Sequence, residues 1–547
     1  MDRAEQNAPR TSLLAPFRHE TFRLLWLATL VSNLGGLVQS VGAGWMMTTL
    51  TDSHGMIALV QASTTLPIMV FSIAAGALAD NFDRRIVMLI AQCGMMVVSL
   101  MLAVMALLGL LNPWLLLSFT FLIGCGTALF NPSWQASMGD IVPRSDLPGA
   151  VTLNAMGFNM MRSVGPAVGG LIVALAGAAA AFAVNAVSYL PLIYALFRWQ
   201  PERLPARLPR ENFGSAMWAG IRYVSLSPNL TTVLFRGFLF GLSAVAILAL
   251  LPSVAAEFVS GGALAYGTLL GCFGLGAIGG AFLNGYVRER YSNEVIVRLA
   301  CVGFAISSVA LGYSRDLLLS HAALVPAGAC WVLALSLFNV SIQLSSPRWV
   351  VGRALSLYQT ATFGGMAAGS WIWGMSADAL GPASALALAG ATMLACALVG
   401  FRLPLPEFNG SDLNPLNTFN EPVLKLDLRP RSGPIMVMVD YQIAQEDIPR
   451  FLAEMADRRR IRIRDGARQW GLLRDLEHPE IWTETYHVPT WIDYVRHNLR
   501  RTKADANNVE RLRALHRGTE PPAVRRFIER QTVPLRDDTP LRAGPEV

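Results

Sequence analysis

Twelve apolar runs, each long enough to cross a bilayer, leave this 547-residue chain few ways to fold. They lie at roughly 22–50, 56–79, 86–110, 113–138, 147–176, 178–198, 229–257, 263–287, 294–313, 317–343, 350–379 and 382–402. About 20 apolar residues are enough to span a hydrocarbon core. Lipid offers no hydrogen bonds, so such runs must be helices that satisfy their own backbone groups. An all-α, twelve-helix membrane body is therefore expected. Hydrophobic residues make up 53% of the chain and charged residues 15%, with mean hydropathy +0.42. A soluble chain carries about 25% charge. The average hides two regimes. Residues 1–430 hold 23 Lys/Arg and 19 Asp/Glu, whereas residues 431–547 hold 21 and 18. The last fifth thus reads as a soluble domain attached to the membrane body.

The loops alternate sharply in charge. One set carries Arg18 and Arg23, then Arg84 and Arg85, Arg144, the Arg198–Arg210 connector, Arg288 and Arg290, Arg348 and Arg353, and Arg402. The opposite set contains only Arg315. Basic loops stay on the cytoplasmic side, which places both termini, the connector and the soluble domain in the cytoplasm. The expected domains are a six-helix half at 1–198, a connector with an amphipathic helix at 199–228, a second half at 229–403, a linker at 404–433 and a soluble domain at 434–547. The halves echo one another. Leu129-Phe130-Asn131-x-Ser133-x-Gln135-x-Ser137 returns 208 positions later as Leu337-Phe338-Asn339-x-Ser341-x-Gln343-x-Ser345. The net charge of +7 needs no nucleic-acid partner, since arginine concentrates in loops and in the soluble domain. All six cysteines fall inside apolar runs and read as packing residues. The first run is too long for a leader peptide, so no processing is expected.

Between the second and third runs lies Gly76-Ala77-Leu78-Ala79-Asp80-Asn81-Phe82-Asp83-Arg84-Arg85. A glycine permits close helix approach, Asp80 accepts hydrogen bonds at a helix end, and the arginines hold the turn on the basic side. This stretch resembles the Gly-x-x-x-Asp-(Arg/Lys)-x-Gly-(Arg/Lys)-(Arg/Lys) loop of the major facilitator superfamily, with Asn81 and Asp83 as departures. Within that superfamily the chain is similar to the transmembrane secretion effectors, a branch that includes the enterobactin exporters. The resemblance rests also on Phe22-Arg23-Leu24-Leu25-Trp26-Leu27, on Gly35 through Trp45, and on Asn159-x-x-Arg162-x-x-Gly165-Pro166-x-x-Gly169-Gly170. It implies the major facilitator fold of two six-helix halves, with export of a small molecule from the bacterial cytoplasm. Gly76, Asp80, Arg84, Arg85, Gly165, Pro166, Gly169 and Gly170 are the expected gating residues. Independently of the family, Pro166 removes a backbone hydrogen bond, and its flanking glycines allow either bending or a static close contact.

Arg162 is the most exposed expectation. It lies about 20 Å along the fifth run, at 1.5 Å per residue, where an isolated cation costs several kcal/mol. It is expected to face a cavity and bind substrate, or else to act as a hub between helices. Amides also sit in apolar runs: Asn33, Gln39, Asn131, Gln135, Asn154, Asn159, Asn339, Gln343 and Gln359. With Trp45 and Trp134 they read as ligand contacts or, alternatively, as glue and interface anchors between helices. Asn131 and Gln135 share a helical face, as do Asn339 and Gln343. The runs carry no midplane carboxylate in the first, fourth, seventh or tenth span. Asp140 and Glu257, near helix ends, are the remaining candidates for proton binding, and Asp80 is expected to pair with Arg84.

After the linker, the pattern reads strand 435–443, helix 447–460, strands 468–473 and 480–487, helix 490–500 and strand 524–528. That βαββαβ order predicts an α+β ferredoxin-like cytoplasmic domain. It resembles the dimeric antibiotic-biosynthesis-monooxygenase barrels, so dimerisation through this domain is expected. Trp470, Trp482, His487 and Asn498 have no spacing that makes an oxygenase site. The chain as a whole reads as a multi-pass protein of the bacterial inner membrane. It is expected to export a small amphipathic molecule, siderophore- or drug-like, by alternating access and proton antiport. No metal, cofactor or catalytic residue is expected. An importer, a non-transporting sensor and a membrane-tethered monooxygenase are the other readings. No Gly-x-x-x-x-Gly-Lys-(Ser/Thr) loop occurs, which argues against an ATP-driven pump.

Overall fold

The structure is a computed structural model that describes residues 14–529, except 144–145, 201–212, 258–261, 348, 407–412, 414–415 and 417. The side chains of residues 73, 76–81, 148, 159, 213, 215 and 216 lie outside that description. The Gly76, Asp80 and Asn159 expectations therefore fall beyond what it shows.

Two compact units result, the first drawn from Met1–Glu211, Thr232–Ile342 and Leu355–Glu407. Its helices are α1 (Glu20–Leu50), α2 (His54–Asn81), α3 (Arg84–Leu107), α4 (Pro113–Ile141) and α5 (Leu147–Arg198). After the connector helix α6 (Phe213–Ser225) come α7 (Pro228–Glu257), α8 (Gly262–Arg288), α9 (Asn293–Tyr313), α10 (Leu317–Leu344), α11 (Val351–Leu380) and α12 (Pro382–Val399). Among the described residues, ten helices are long and apolar enough to cross a membrane. α5 is interrupted at Gly177, whose φ of 80° is open to glycine. The interruption falls between the fifth and sixth apolar runs of the sequence. Elsewhere α5 stays helical, including through Pro166.

Small residues set the spacing. A Cβ on Gly170 would lie 2.7 Å from the Cα of Gly267, so α5 and α8 touch backbone to backbone. Gly165 and Gly169 face α1 instead, against Leu37 and Val38. The Gly-Pro-x-x-Gly-Gly element thus joins α5 to α1 on one side and to α8 on the other.

The second unit contains the C-terminal domain: β1 (Ile435–Gln442), α13 (Ile448–Asp465), β2 (Arg468–Arg474), β3 (Ile481–Val488), α14 (Trp491–Leu499), α15 (Lys503–Leu515) and β4 (Ala523–Ile528). The sheet runs β2-β3-β1-β4 with every neighbour antiparallel. Burial alternates along β1, so Ile435, Val437, Val439 and Tyr441 face the core with Phe451 and Met455 of α13. Two expectations need correction. Helix α15 was not anticipated, although Thr502 and Asp505 form its capping box. The 404–433 linker is not simply a spacer. Phe419, Leu424 and Leu428 pack on the domain core, and Glu421 accepts a 3.0 Å hydrogen bond from the Trp491 indole.

Candidate functional site

Arg162 projects from α5 towards an aromatic cluster built by the helices of the second half. Its Cζ lies 5.7 Å from the Trp331 ring centre and 6.0 Å from that of Phe273. Phe240 meets Phe304, Phe338 and Trp331, and Phe304 also meets Trp331, at 5.9–6.3 Å between ring centres. Four helices therefore supply the aromatic wall, namely α7, α8, α9 and α10. A guanidinium over ring faces gains about 0.5–2 kcal/mol. No carboxylate or hydrogen-bond acceptor pairs with Arg162 among the described residues. The hub reading, which requires such partners, finds no support in this geometry.

The amides divide into two groups. Gln39 is buried, and its Oε1 accepts from Ser99 Oγ at 2.8 Å and from Asn185 Nδ2. Asn185 reaches Tyr189 Oη as well, at 3.0 Å. Gln39 thus joins α1, α3 and the second segment of α5. Asn154 accepts a 3.0 Å hydrogen bond from the Trp134 indole, which stacks on Phe130. That pair is also packing. Trp45 sits beside the start of α8, with its ring 3.8 Å from a Cβ built on Gly262. It is a contact near the ends of α1 and α8. The second group differs. Asn131 and Gln135 are both exposed on one face of α4, and Asn33 and Gln359 are half-buried. Amides facing acyl chains are costly, so an aqueous cavity is the favoured surrounding. Asn339 is half-buried and Gln343 exposed on α10, and both are engaged in contacts.

The residues after Asp80 fasten helix ends. Asp83 caps α3, accepting from the Arg85 backbone at 3.0 Å. Arg85 donates to the carbonyls of Leu196 and Phe197 at 2.8 and 2.9 Å, closing the end of α5. Arg84 donates to Asp140 Oδ2 at 2.8 Å and to the Ala136 carbonyl at 3.0 Å, both on α4. Asp140, a proton candidate in the sequence, is therefore half of an ion pair. Glu257 lies 3.5 Å from His54, and Asp378 of α11 accepts from Ser53 Oγ and the Gly55 amide at 3.0 and 3.1 Å. The entry of α2 is held by carboxylates of α7 and α11.

A buried ionic cluster escaped the sequence reading. Arg236 of α7 is fully buried and pairs with Glu294 of α9, which also accepts from Arg298 at 2.8 Å. Glu294 further accepts from the Leu405 amide at 2.9 Å, and Arg298 donates to the Gly400 carbonyl at 3.1 Å. The cluster fixes the chain as it leaves α12. An arginine inside an apolar run, the criterion that singled out Arg162, identifies Arg236 as well.

The C-terminal domain has its own buried charges. Arg462 donates to Glu484 Oε1 at 3.1 Å and to His497 Nε2 at 3.0 Å, and its guanidinium lies 4.2 Å from the Tyr486 ring centre. Trp470 donates to the same Glu484 oxygen at 3.1 Å. Burial alone would raise the Glu484 carboxyl, but Arg462 and Arg458 outweigh it and hold its pKa at about 2. His497 is pushed well below its ordinary range, first by burial and then by Arg462. Of the residues weighed for an oxygenase pocket, Asn498 spends its amide on the Tyr494 carbonyl.

A family model described as "Transmembrane secretion effector" matches residues 11–532. The chain is 25% identical over 388 residues to the "Enterobactin exporter EntS" of Shigella flexneri, covering 69% of this chain and 90% of that protein. It is 26% identical over 229 residues to the "Staphyloferrin A transporter" of Staphylococcus aureus (strain NCTC 8325 / PS 47), covering 37% of this chain and 57% of that one. Among solved structures, an inward-facing, unoccupied bacterial homologue of the human lysosomal transporter Spinster superposes with a TM-score of 0.54 at 15% identity, over 69% of this chain and 93% of that one. A POT family transporter in complex with 5-aminolevulinic acid gives 0.58 at 12%, over 70% and 96%. These two share the fold.

Proposed function

Since the chain belongs to the transmembrane secretion effector family, we propose that it exports a small anionic, amphipathic molecule by alternating access, coupled to proton entry. The family and these relatives are transporters, which sets the monooxygenase reading aside. Twelve spans result when α5 is taken as two about Gly177 and α11 is added. They form two six-helix halves of the major facilitator kind. The β2-β3-β1-β4 order of the C-terminal domain is that of a ferredoxin-like fold. The proposed location is the bacterial inner membrane with both termini cytoplasmic, supported by the one-sided distribution of loop arginines.

One observation carries the substrate class: Arg162 of the first half rests on rings of the second, with no counter-charge among the described residues. An anionic group on the cargo supplies that charge. Asn33, Asn131, Gln135 and Gln359 are the proposed neutral contacts, with Asn339 and Gln343 on the repeated motif. Asn159 remains a candidate from its spacing of three residues to Arg162. The two named relatives are a siderophore exporter and a siderophore transporter, which favours a siderophore-like cargo.

The test uses everted vesicles energised acid inside, offered a panel of siderophores and amphipathic drugs. Uptake that collapses with an uncoupler supports proton-coupled export. Arg162→Ala is expected to lower uptake of anionic cargo at least tenfold, and Arg162→Lys to restore part of it. Uptake indifferent to Arg162, or driven without a gradient, overturns the proposal.

A further inference from the structure

The second compact unit is assembled from three separate stretches of chain, residues 212–231, 343–354 and 408–547. The C-terminal domain is thus packed together with α6 and with the segment that joins α10 to α11. The contacts inside this unit are aromatic and cationic. The Arg464 guanidinium, at the end of α13, lies 5.0 Å from the Tyr223 ring centre on α6. Arg500, just after α14, lies 4.2 Å from that of Trp349. Tyr223 and Trp349 meet edge to face at 5.4 Å. A Cβ on Gly220 would lie 2.8 Å from the Arg353 Cβ, so α6 rests on the first turn of α11.

These contacts are held from behind. Arg464 donates to Asp465 Oδ1 at 2.9 Å and to both oxygens of Asp505 at 2.9 and 3.0 Å. Two carboxylates therefore fix the guanidinium before it meets Tyr223, which lowers the ordering cost of the contact. Tyr223, Val224 and Ala219 are buried on the same side of α6, while Trp218 points outward.

The position of the two segments gives the contact its meaning. Only residues 226 and 227 separate α6 from α7, and Trp349 lies two residues before α11. α7 and α11 themselves pack closely, since the Trp373 indole of α11 donates to the Leu242 carbonyl of α7 at 2.7 Å. We propose that the C-terminal domain is a brace. Its surface around Arg464 and Arg500 takes the chain's own α6 and residues 343–354 as partner, and so keeps the entries of α7 and α11 moving as one body. This role holds whatever the cargo is.

Hydrogen exchange on the full-length protein in lipid nanodiscs tests the brace without any transport assay. In Tyr223→Ala/Trp349→Ala, exchange is expected to rise at least tenfold in three places together: 213–225, 343–354 and the domain surface at 462–468. Tyr223→Phe/Trp349→Phe keeps the ring faces and is expected to match wild type. Arg500→Ala, which alters only the domain surface, is expected to raise exchange in 343–354. A rise confined to the substituted segment, or no rise in 343–354 with Arg500→Ala, overturns the brace.

Discussion

Arg162 and Arg462 are the same side chain in opposite circumstances. In the C-terminal domain Arg462 is buried with Glu484, His497 and Tyr486 around it, and its hydrogen bonds go to groups of the fold. In the membrane unit Arg162 meets the faces of Phe273 and Trp331, with no carboxylate beside it among the described residues. In the first arrangement the fold itself supplies the carboxylate, with Glu484 facing both Arg462 and Arg458. The second leaves donors available in a region where desolvation makes a counter-charge valuable. A buried cation with its carboxylate serves the architecture; the proposed role of Arg162 rests on the absence of such a partner among the described residues.

The sharpest way to break this comparison is to remove each charge in turn, starting with Arg462. Arg462→Met leaves Glu484 with Arg458 as its remaining cation, 3.6 Å away, and removes the hydrogen bonds to Glu484 and His497. Breaking a buried pair costs about 3–5 kcal/mol, so the domain is expected to melt at markedly lower temperature, read by domain-resolved hydrogen exchange. A melt unchanged by Arg462→Met removes the distinction.

Acid tests the same cluster more gently. The folded-state pKa of His497 lies well below its ordinary value, so its neutral form is the one the fold keeps. Stability from this group is full above about pH 6.5 and is lost as pH falls towards the folded pKa, at about 1.4 kcal/mol per unit. Glu484 adds a lower window, with stability lost between its ordinary range near pH 4.5 and about 2. Melts of the domain between pH 7.5 and 5.5 are expected to show the first loss, and His497→Gln to abolish the slope.

Arg162→Met gives the smallest effect on the fold. Only a cation–π contact is lost, about 0.5–2 kcal/mol, and an apolar side chain fits the ring wall. The membrane unit is expected to melt within a few degrees of wild type while transport of anionic cargo is lost. A collapse of the fold comparable to that of Arg462→Met would make Arg162 architectural after all.

Much of this organisation is legible in the chain. The apolar runs announce the long helices, because lipid allows a continuous apolar segment no other simple solution. The break between the fifth and sixth runs and the strand at 435–443 are local signals that reappear in the structure, at Gly177 and as β1. The amides were less legible. Gln39, Asn154, Asn131 and Gln135 look alike as polar residues in apolar runs, yet the first two are consumed by Asn185 and Trp134 and the last two are exposed. Helix phase alone does not say which neighbour will face an amide. Arg236 and Glu294 were missed because their partnership joins α7 to α9, residues 58 apart in sequence.

The sequence by itself determined the elements: apolar length made the membrane helices, period-two burial made β1, and Pro-, Gly- and Asp-bearing turns set their ends. Local physics suffices there, since each signal acts within a few residues. Tertiary structure decided which charges are spent and which remain. It brought Trp331 and Phe273 under Arg162, closed Arg462 on Glu484, and packed α6 and residues 343–354 with the C-terminal domain. Those outcomes depend on which faces of distant helices meet, and electrostatic cost inside a protein is set by the partner a group finds there.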